Sequence, residues 1–362
     1  MRYIMSKGPA PWLFALLLLA ACGGAAAAPV GLKRQEAPMA SAADRRSDHR
    51  PTIAVTIWYP AADGATTAQI DIGPPGRALL VGGQFAVDAA PRAGAYPVIL
   101  LSHGFGGSAE DLSWLAGGLA AHGFVVIGVD HPGNNAMDRT LVGGTAWWER
   151  PRDLIAVARA MAADPVLGPH LDMNRVGAAG FSMGGMTALA LGGARIDPGH
   201  FDDFCATGPR DEVCGAAPET PDAPRVTQRE GVRLLGLDAA AARAGENTAF
   251  PGLRAILAIA PPVQMLAPDS LGRIAVPTVL VIGDRDPLVP AATQADVAAR
   301  AIKGARLVIA PGVAHYSFVG TCTAYGRQIL DLCAKAPNQD RAHALALKEA
   351  LRLFGKTLAR GR

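Results

Sequence analysis

From residue 98 onward, short apolar runs alternate with stretches of helical spacing, and few folds accept that order. Residues 98–101, 124–130, 175–181, 255–260, 278–282 and 307–309 are brief and mainly apolar, as strands buried on both faces must be. Residues 109–122 and 152–163 carry helical spacing, residues 184–191 form a helix rich in small side chains, and a closing helix covers about 341–358. Strand and helix in this order specify the α/β class, a mostly parallel doubly wound sheet with helices on both faces. The alternation of residues 53–59, ended by Pro60, adds an earlier strand and makes the first part of the core antiparallel. Residues 193–251 break the rhythm as Pro, Gly, Asp and Arg accumulate, so they read as an insertion before the sixth core strand. Loops of that length are functional or carry structure of their own, which leaves two readings, a lid over the active site or a disulfide-held surface excursion.

The chain has 362 residues, half of them apolar, enough for one large core. Its net charge is +3 with the basic residues scattered, so nucleic acid is excluded as a partner. Arg45, Arg46 and Arg50 cluster beside Asp44 and Asp48 and read as a solvated linker rather than a phosphate anchor.

The N-terminus has the form of an export signal. Arg2 and Lys7 precede a Leu/Ala-rich run over 11–21 that is too short to span a bilayer comfortably. Leu19-Ala20-Ala21-Cys22 resembles the bacterial lipobox, in which the cysteine is acylated and becomes the first residue after cleavage. The expected organisation is a signal peptide over 1–21, a lipidated Cys22 with a flexible tether over 22–50, and the catalytic domain over 51–362. That places the protein in the bacterial envelope, periplasm or outer membrane, held to the membrane by an N-terminal lipid. An ordinary signal peptide and a secreted product are the alternative.

Four further cysteines suit an oxidising compartment. The sequence-local pairs are preferred, Cys205 with Cys214 and Cys322 with Cys333. Continuous helix would hold the second pair about 16 Å apart, so that segment must bend for the pair to close. No CxxC or paired-histidine spacing supports zinc, and no phosphate loop or dinucleotide fingerprint occurs, so no cofactor is implied.

Gly180-Phe181-Ser182-Met183-Gly184 carries the chemistry. A serine with glycine at both two-residue offsets arises by chance for about one serine in seventy here, so its context matters more than the pattern. It follows a strand and precedes a helix, where a nucleophile elbow belongs. A serine hydroxyl needs a base, and α/β-hydrolases order their partners as serine, acid, histidine. That order removes His49, His103, His122, His131 and His170, and His200 follows Ser182 before any further core strand. Of the two that remain, His315 lies in a loop after a strand, whereas His343 lies in a charged helical stretch that suits a solvated residue. The acid comes from the loop Gly283-Asp284-Arg285-Asp286-Pro287-Leu288-Val289-Pro290. Asp286 fits the Gly-x-x-Asp-x-x-Val-Pro spacing of α/β-hydrolases, whereas Asp284 suits a hydrogen bond within the turn. The oxyanion donors are the backbone N–H groups of Met183 and Phe105, the latter in Ser102-His103-Gly104-Phe105-Gly106-Gly107. His103 reads as a loop-ordering residue, His131 as a turn stabiliser, and Trp147 and Trp148 as packing rather than an acyl pocket.

With these residues placed, the chain resembles the platelet-activating-factor acetylhydrolase and bacterial dienelactone-hydrolase-like group of α/β-hydrolases. The likeness covers about residues 53–318. It rests on Ile57-Trp58-Tyr59-Pro60, Ser102-His103-Gly104-Phe105-Gly106, His122-Gly123-Phe124-Val125-Val126 and Gly180-Phe181-Ser182-Met183-Gly184-Gly185. Dienelactone hydrolases use a cysteine nucleophile where this chain has Ser182, so dienelactone itself is not the expected substrate. Similarity to the acetylhydrolases implies short acyl groups, and similarity to cutinase-like polyester hydrolases, which share the Ser-Met-Gly elbow, keeps larger esters open. The expectation is a serine hydrolase of carboxylic esters, acting on a small-molecule or lipid-like ester through an acyl-enzyme. A thioesterase, an amidase or peptidase, and a catalytically dead binding lipoprotein are the rivals.

Overall fold

The computed structural model describes residues 28–209, 211–215 and 226–359, so the signal-peptide run and Cys22 lie outside the described residues. Ten strands form one sheet in the order β10-β9-β8-β7-β5-β6-β2-β1-β4-β3. They are β1 (Val30–Pro38), β2 (Thr52–Pro60), β3 (Ala68–Ile72), β4 (Leu80–Val87), β5 (Tyr96–Ser102), β6 (Val125–Asp130), β7 (Leu171–Phe181), β8 (Leu253–Ile259), β9 (Thr278–Gly283) and β10 (Arg306–Ala310). All neighbours from β10 to β6 are parallel, and β2 joins β6 antiparallel.

The apolar runs are strands because both faces of the sheet are covered. Along β5, Val98 and Leu100 enter one hydrophobic cluster and Ile99 and Leu101 the other, the period of two that a strand imposes. The first cluster receives Leu154, Val157, Ala158 and Met161 from the helix Arg150–Ala162. The second receives Leu115, Ala116 and Leu119 from Ser113–Ala121, and Ala342, Ala346, Ala350 and Phe354 from Gln339–Thr357. The four-residue spacing of the last set lays one apolar stripe on the sheet.

The tether expected over 22–50 is corrected by β1, which pairs with β2 from Val30 opposite Pro60 to Pro38 opposite Thr52. Its central Lys33-Arg34-Gln35-Glu36 disguises it as linker. Three of those side chains find partners instead: Arg34 Nη2 donates to Glu110 Oε2 at 2.9 Å, Gln35 Nε2 donates to Asp164 Oδ2 at 3.1 Å, and Glu36 pairs with Arg50. Arg45 is corrected too, since it is buried and donates to both carboxylate oxygens of Asp153 at 2.6 and 3.0 Å. β3 and β4 were not anticipated, because β3 is largely exposed and Gly82-Gly83 interrupts the apolar pattern of β4.

Both sequence-local disulfides are present, with Cα separations of 5.3 Å for Cys205–Cys214 and 5.9 Å for Cys322–Cys333. The second closes because the chain bends. Leu330, extended at φ −100° and ψ 115°, separates the short helices Ala324–Ile329 and Asp331–Ala334. Within the insertion, the described residues form the helices Pro198–Thr207, Gln228–Leu234 and Asp238–Ala241. Residues 211–215 lean on the loop after β9: the amides of Glu212 and Val213 donate to the carbonyls of Pro287 and Leu288 at 3.2 and 3.1 Å.

Candidate active site

Ser182 sits between the end of β7 and the helix Met183–Leu191, at φ 54° and ψ −123°. A non-glycine residue held there stores about 1–3 kcal/mol of strain, which the surrounding packing must sustain. The two flanking glycines show how tight the turn is. A Cβ on Gly180 would lie 2.1 Å from the Gly184 carbonyl oxygen, and one on Gly184 would lie 1.9 Å from that of Ser102. No side chain fits at either position. The turn leaves Ser182 partly exposed among buried neighbours, and its amide donates to Ile259 in β8 at 2.8 Å.

The structure brings Ser182, His315 and Asp286 together. His315 Nε2 lies 2.9 Å from Ser182 Oγ, and His315 Nδ1 lies 2.8 Å from Asp286 Oδ2. Beside a carboxylate Nδ1 carries the proton and donates, which leaves Nε2 to accept from the serine. Asp286 is itself fixed, because its Oδ1 accepts from the amides of Leu288 and Val289 at 3.0 and 2.9 Å. His315 and Asp286 are buried, whereas Ser182 is partly exposed. Asp284 lies outside this chain of bonds and accepts from the Gly312 amide at 2.6 Å, joining the acid loop to the histidine loop.

Phe105 follows β5 in the loop beside Ser182, and a Cβ on the neighbouring Gly104 would lie 3.5 Å from Ser182 Cβ. Met183 begins the helix after the elbow, where amides lack intrahelical acceptors. Both candidate donors therefore flank the serine.

The remaining histidines divide by burial. His103 is fully buried; its Nδ1 donates to the Gly104 carbonyl at 2.6 Å and its Nε2 accepts from the His131 amide at 3.1 Å. His131, expected in a turn, belongs to a buried chain linking Asp153 to Ser102. His343 is corrected from a solvated residue to a packed one: it stacks on Trp114 with ring centroids 4.1 Å apart and donates to the Val319 carbonyl. Burial pushes its imidazole down to about 4. Trp147 and Trp148 pack in the core, Trp147 edge-on to Phe201.

Sequence reasoning missed Asn134, Arg150 and Asp153, which stand with Arg45 behind the Phe105 loop. Their spacing forms no motif, and charged residues in a helix normally signal a solvent face.

Comparison with known proteins agrees with this architecture. The PETase family, described as PET hydrolase-like, matches residues 82–197, which include Phe105, Ser182 and Met183 and stop short of Asp286 and His315. A cutinase from Thermobifida alba is 33% identical over 104 residues, 28% of this chain and 32% of the relative. The match thus spans about a third of the curated relative's length. Among solved structures, a ferulic acid esterase from Streptomyces cinnamoneus superposes with a TM-score of 0.57 at 18% identity, covering 92% of this chain and 91% of that one. With a mostly parallel sheet crossed by helices on both faces and an elbow at Ser182, this chain has the α/β-hydrolase fold.

Proposed function

We propose that this protein hydrolyses carboxylic esters through an acyl-enzyme on Ser182. The observation that carries the reading is the hydrogen-bonded chain from Asp286 through His315 to a strained, partly exposed serine hydroxyl. Ser182 Oγ attacks the ester carbonyl carbon as His315 Nε2 takes its proton, and Asp286 holds the imidazole tautomer and stabilises the imidazolium. The amides of Phe105 and Met183 receive the carbonyl oxygen as it becomes negative. Collapse of the tetrahedral intermediate expels the alcohol with the proton from His315, and water then repeats the sequence on the acyl-enzyme.

The likeness to platelet-activating-factor acetylhydrolase and dienelactone-hydrolase-like proteins favours short acyl groups. The partial matches to the PET hydrolase-like family and to a cutinase favour polyesters as the second reading. Two disulfides suit an oxidising compartment and support export; an anchor at Cys22 rests on the lipobox-like Leu19-Ala20-Ala21-Cys22 alone, and mass analysis of the mature N-terminus would test it.

Fluorophosphonate labelling followed by an acyl-chain-length series of p-nitrophenyl esters tests the whole reading. The expected result is one label on Ser182 and turnover that falls with chain length. A folded protein that takes no label would be a binding module, and faster turnover of amides than of esters would overturn the substrate class.

A further inference from the structure

Arg150, in the first turn of the helix Arg150–Ala162, is 1% exposed, and among the described residues no carboxylate accepts from it. A buried cation without a bonded counter-ion is costly, so its other contacts matter. Burial pushes its guanidinium down to about 9.

Among the described residues, each hydrogen bond that Arg150 donates leads to one of the two elements that carry the proposed oxyanion donors. Its Nη2 donates to the His103 carbonyl and, at 3.3 Å, to Ser102 Oγ, at the exit of β5 toward Phe105. Its Nη1 donates to Asn134 Oδ1 at 3.0 Å, and the same oxygen accepts from the Gly106 amide at 3.2 Å, on the far side of Phe105. Its Nε donates to Thr187 Oγ1 at 3.4 Å. The Thr187 hydroxyl in turn donates to the Met183 carbonyl at 2.9 Å, so the guanidinium also reaches the helix that presents the second donor.

We propose that Arg150 is a positioning residue that sets the spacing of the Phe105 and Met183 amides by bracing both elements from behind. The proposal rests on the esterase reading above only for the meaning of those amides. The planar fork suits the task, because it offers several fixed donor directions where an ammonium would offer a single charge.

A second set of side chains holds the fork. Arg45 donates to both oxygens of Asp153, His131 Nδ1 donates to Asp153 Oδ2 at 2.9 Å, and Ser102 Oγ donates to His131 Nε2 at 2.9 Å. The Ser102 lone pairs are thereby left for Arg150. Burial and the nearby Arg150 cation keep His131 and His103 neutral, so neither adds positive charge beside the guanidinium. Asp153 is bonded to Arg45 and also acts through space on Arg150, so one carboxylate faces two guanidiniums, and net positive charge stands behind the loop where negative charge develops in the reaction.

Kinetics and hydrogen exchange on Arg150→Lys and Asn134→Ala test this. With p-nitrophenyl butyrate, Arg150→Lys is expected to lower kcat about 10²-fold, as a donor misplaced by about an ångström would. KM should stay near the wild-type value, because the lost interaction belongs to the transition state. Asn134→Ala should show the same split at about tenfold, the cost of a single tie on Gly106. In both variants amide exchange over residues 103–107 should quicken while β8 and β9 keep wild-type protection. Exchange needs no turnover, so it tests Arg150 even if wild-type protein cleaves no ester, a result that would strike the functional reading alone. Wild-type kcat or unchanged loop exchange in Arg150→Lys overturns the proposal, and so does exchange quickened uniformly across the sheet. If Arg150→Lys does not fold, Asn134→Ala decides, and an unchanged kcat with an unchanged loop overturns it.

Discussion

Ser182, His315 and Asp286 form a hydrogen-bonded chain with steps of 2.9 and 2.8 Å, and Ser102, His131 and Asp153 form another with steps of 2.9 and 2.9 Å. Both border the loop that carries Phe105, and by these distances alone they are equivalent. Their settings are not. Ser102 ends a regular strand, is fully buried and accepts from Arg150. Ser182 stands at a positive φ and is partly exposed. Asp153 serves an arginine as well as its histidine, whereas the second oxygen of Asp286 is held by two backbone amides. A serine, a histidine and an aspartate in line do not make a nucleophile; access for a carbonyl and donors around it do.

The largest expected effect separates the two serines. Ser182→Ala should lower ester hydrolysis about 10⁴- to 10⁶-fold and abolish fluorophosphonate labelling. Ser102→Ala should still label, and should lose about 1–3 kcal/mol of stability as the His131 nitrogen and an Arg150 N–H lose a buried partner. Labelling that follows Ser102 instead of Ser182 would break the comparison.

The two acids should divide in the same way. Asp286→Asn is expected to cost kcat about 10⁴-fold, through the wrong histidine tautomer. Asp153→Asn removes the only carboxylate bonded to buried Arg45 among the described residues and should cost about 3–5 kcal/mol in urea denaturation. If Asp153→Asn is as stable as wild type, the inner chain is not structural.

Acidification should strain the inner chain first. Burial lowers His131 to about 3, far below its value of about 6.5 in an unfolded chain. The unfolded state therefore binds the proton more readily between those values. The contribution of a neutral His131 is complete above about pH 6.5 and is lost as pH falls toward 3. Asp153, lowered to about 2, adds a further loss below its unfolded value, while Asp130, raised to about 7, works in the opposite sense. Comparison with His131→Gln isolates the histidine, since the carboxylates are common to both proteins. The gap between their urea midpoints should narrow from about pH 7 to about pH 5, and a constant gap would contradict a neutral buried His131.

The smallest expected effect concerns the outer acid alone. The disulfide Cys205–Cys214 closes the segment whose amides bond to Pro287 and Leu288, next to Asp286. Replacing both cysteines by serine should cost about 2–3 kcal/mol of stability. It should lower kcat by less than about tenfold, because the Leu288 and Val289 amides still hold Asp286. A larger loss of kcat would make the insertion part of the catalytic apparatus.

Much of this was legible in one dimension. The order of strands and helices follows from local periodicity, and the bend at Leu330 was required by the reach of a disulfide. Chain order and loop position pick out Ser182, Asp286 and His315, which the fold brings within hydrogen-bonding distance. The glycines of the elbow belong to the same local level, since each lacks room for a side chain.

The inner network belongs to a different level. Arg45 and Asp153 are separated by 108 residues, and Arg150 meets Ser102 across 48. Lys33, Arg34 and Glu36, half-buried or exposed in the middle of β1, made a strand paired along its whole length with β2 look like a tether. A charge in a sequence carries the presumption of solvent, because an ion without a partner does not stay in a core. Only the folded chain supplies the partners. Near neighbours along the chain specify the parallel core of the sheet from β5 to β10 with β2, and the elbow, while chain order specifies the candidate triad. Tertiary structure decided which of two serine-histidine-aspartate chains opens to solvent and which charges lie buried behind the Phe105 loop, because both depend on segments that meet only when the sheet closes over them.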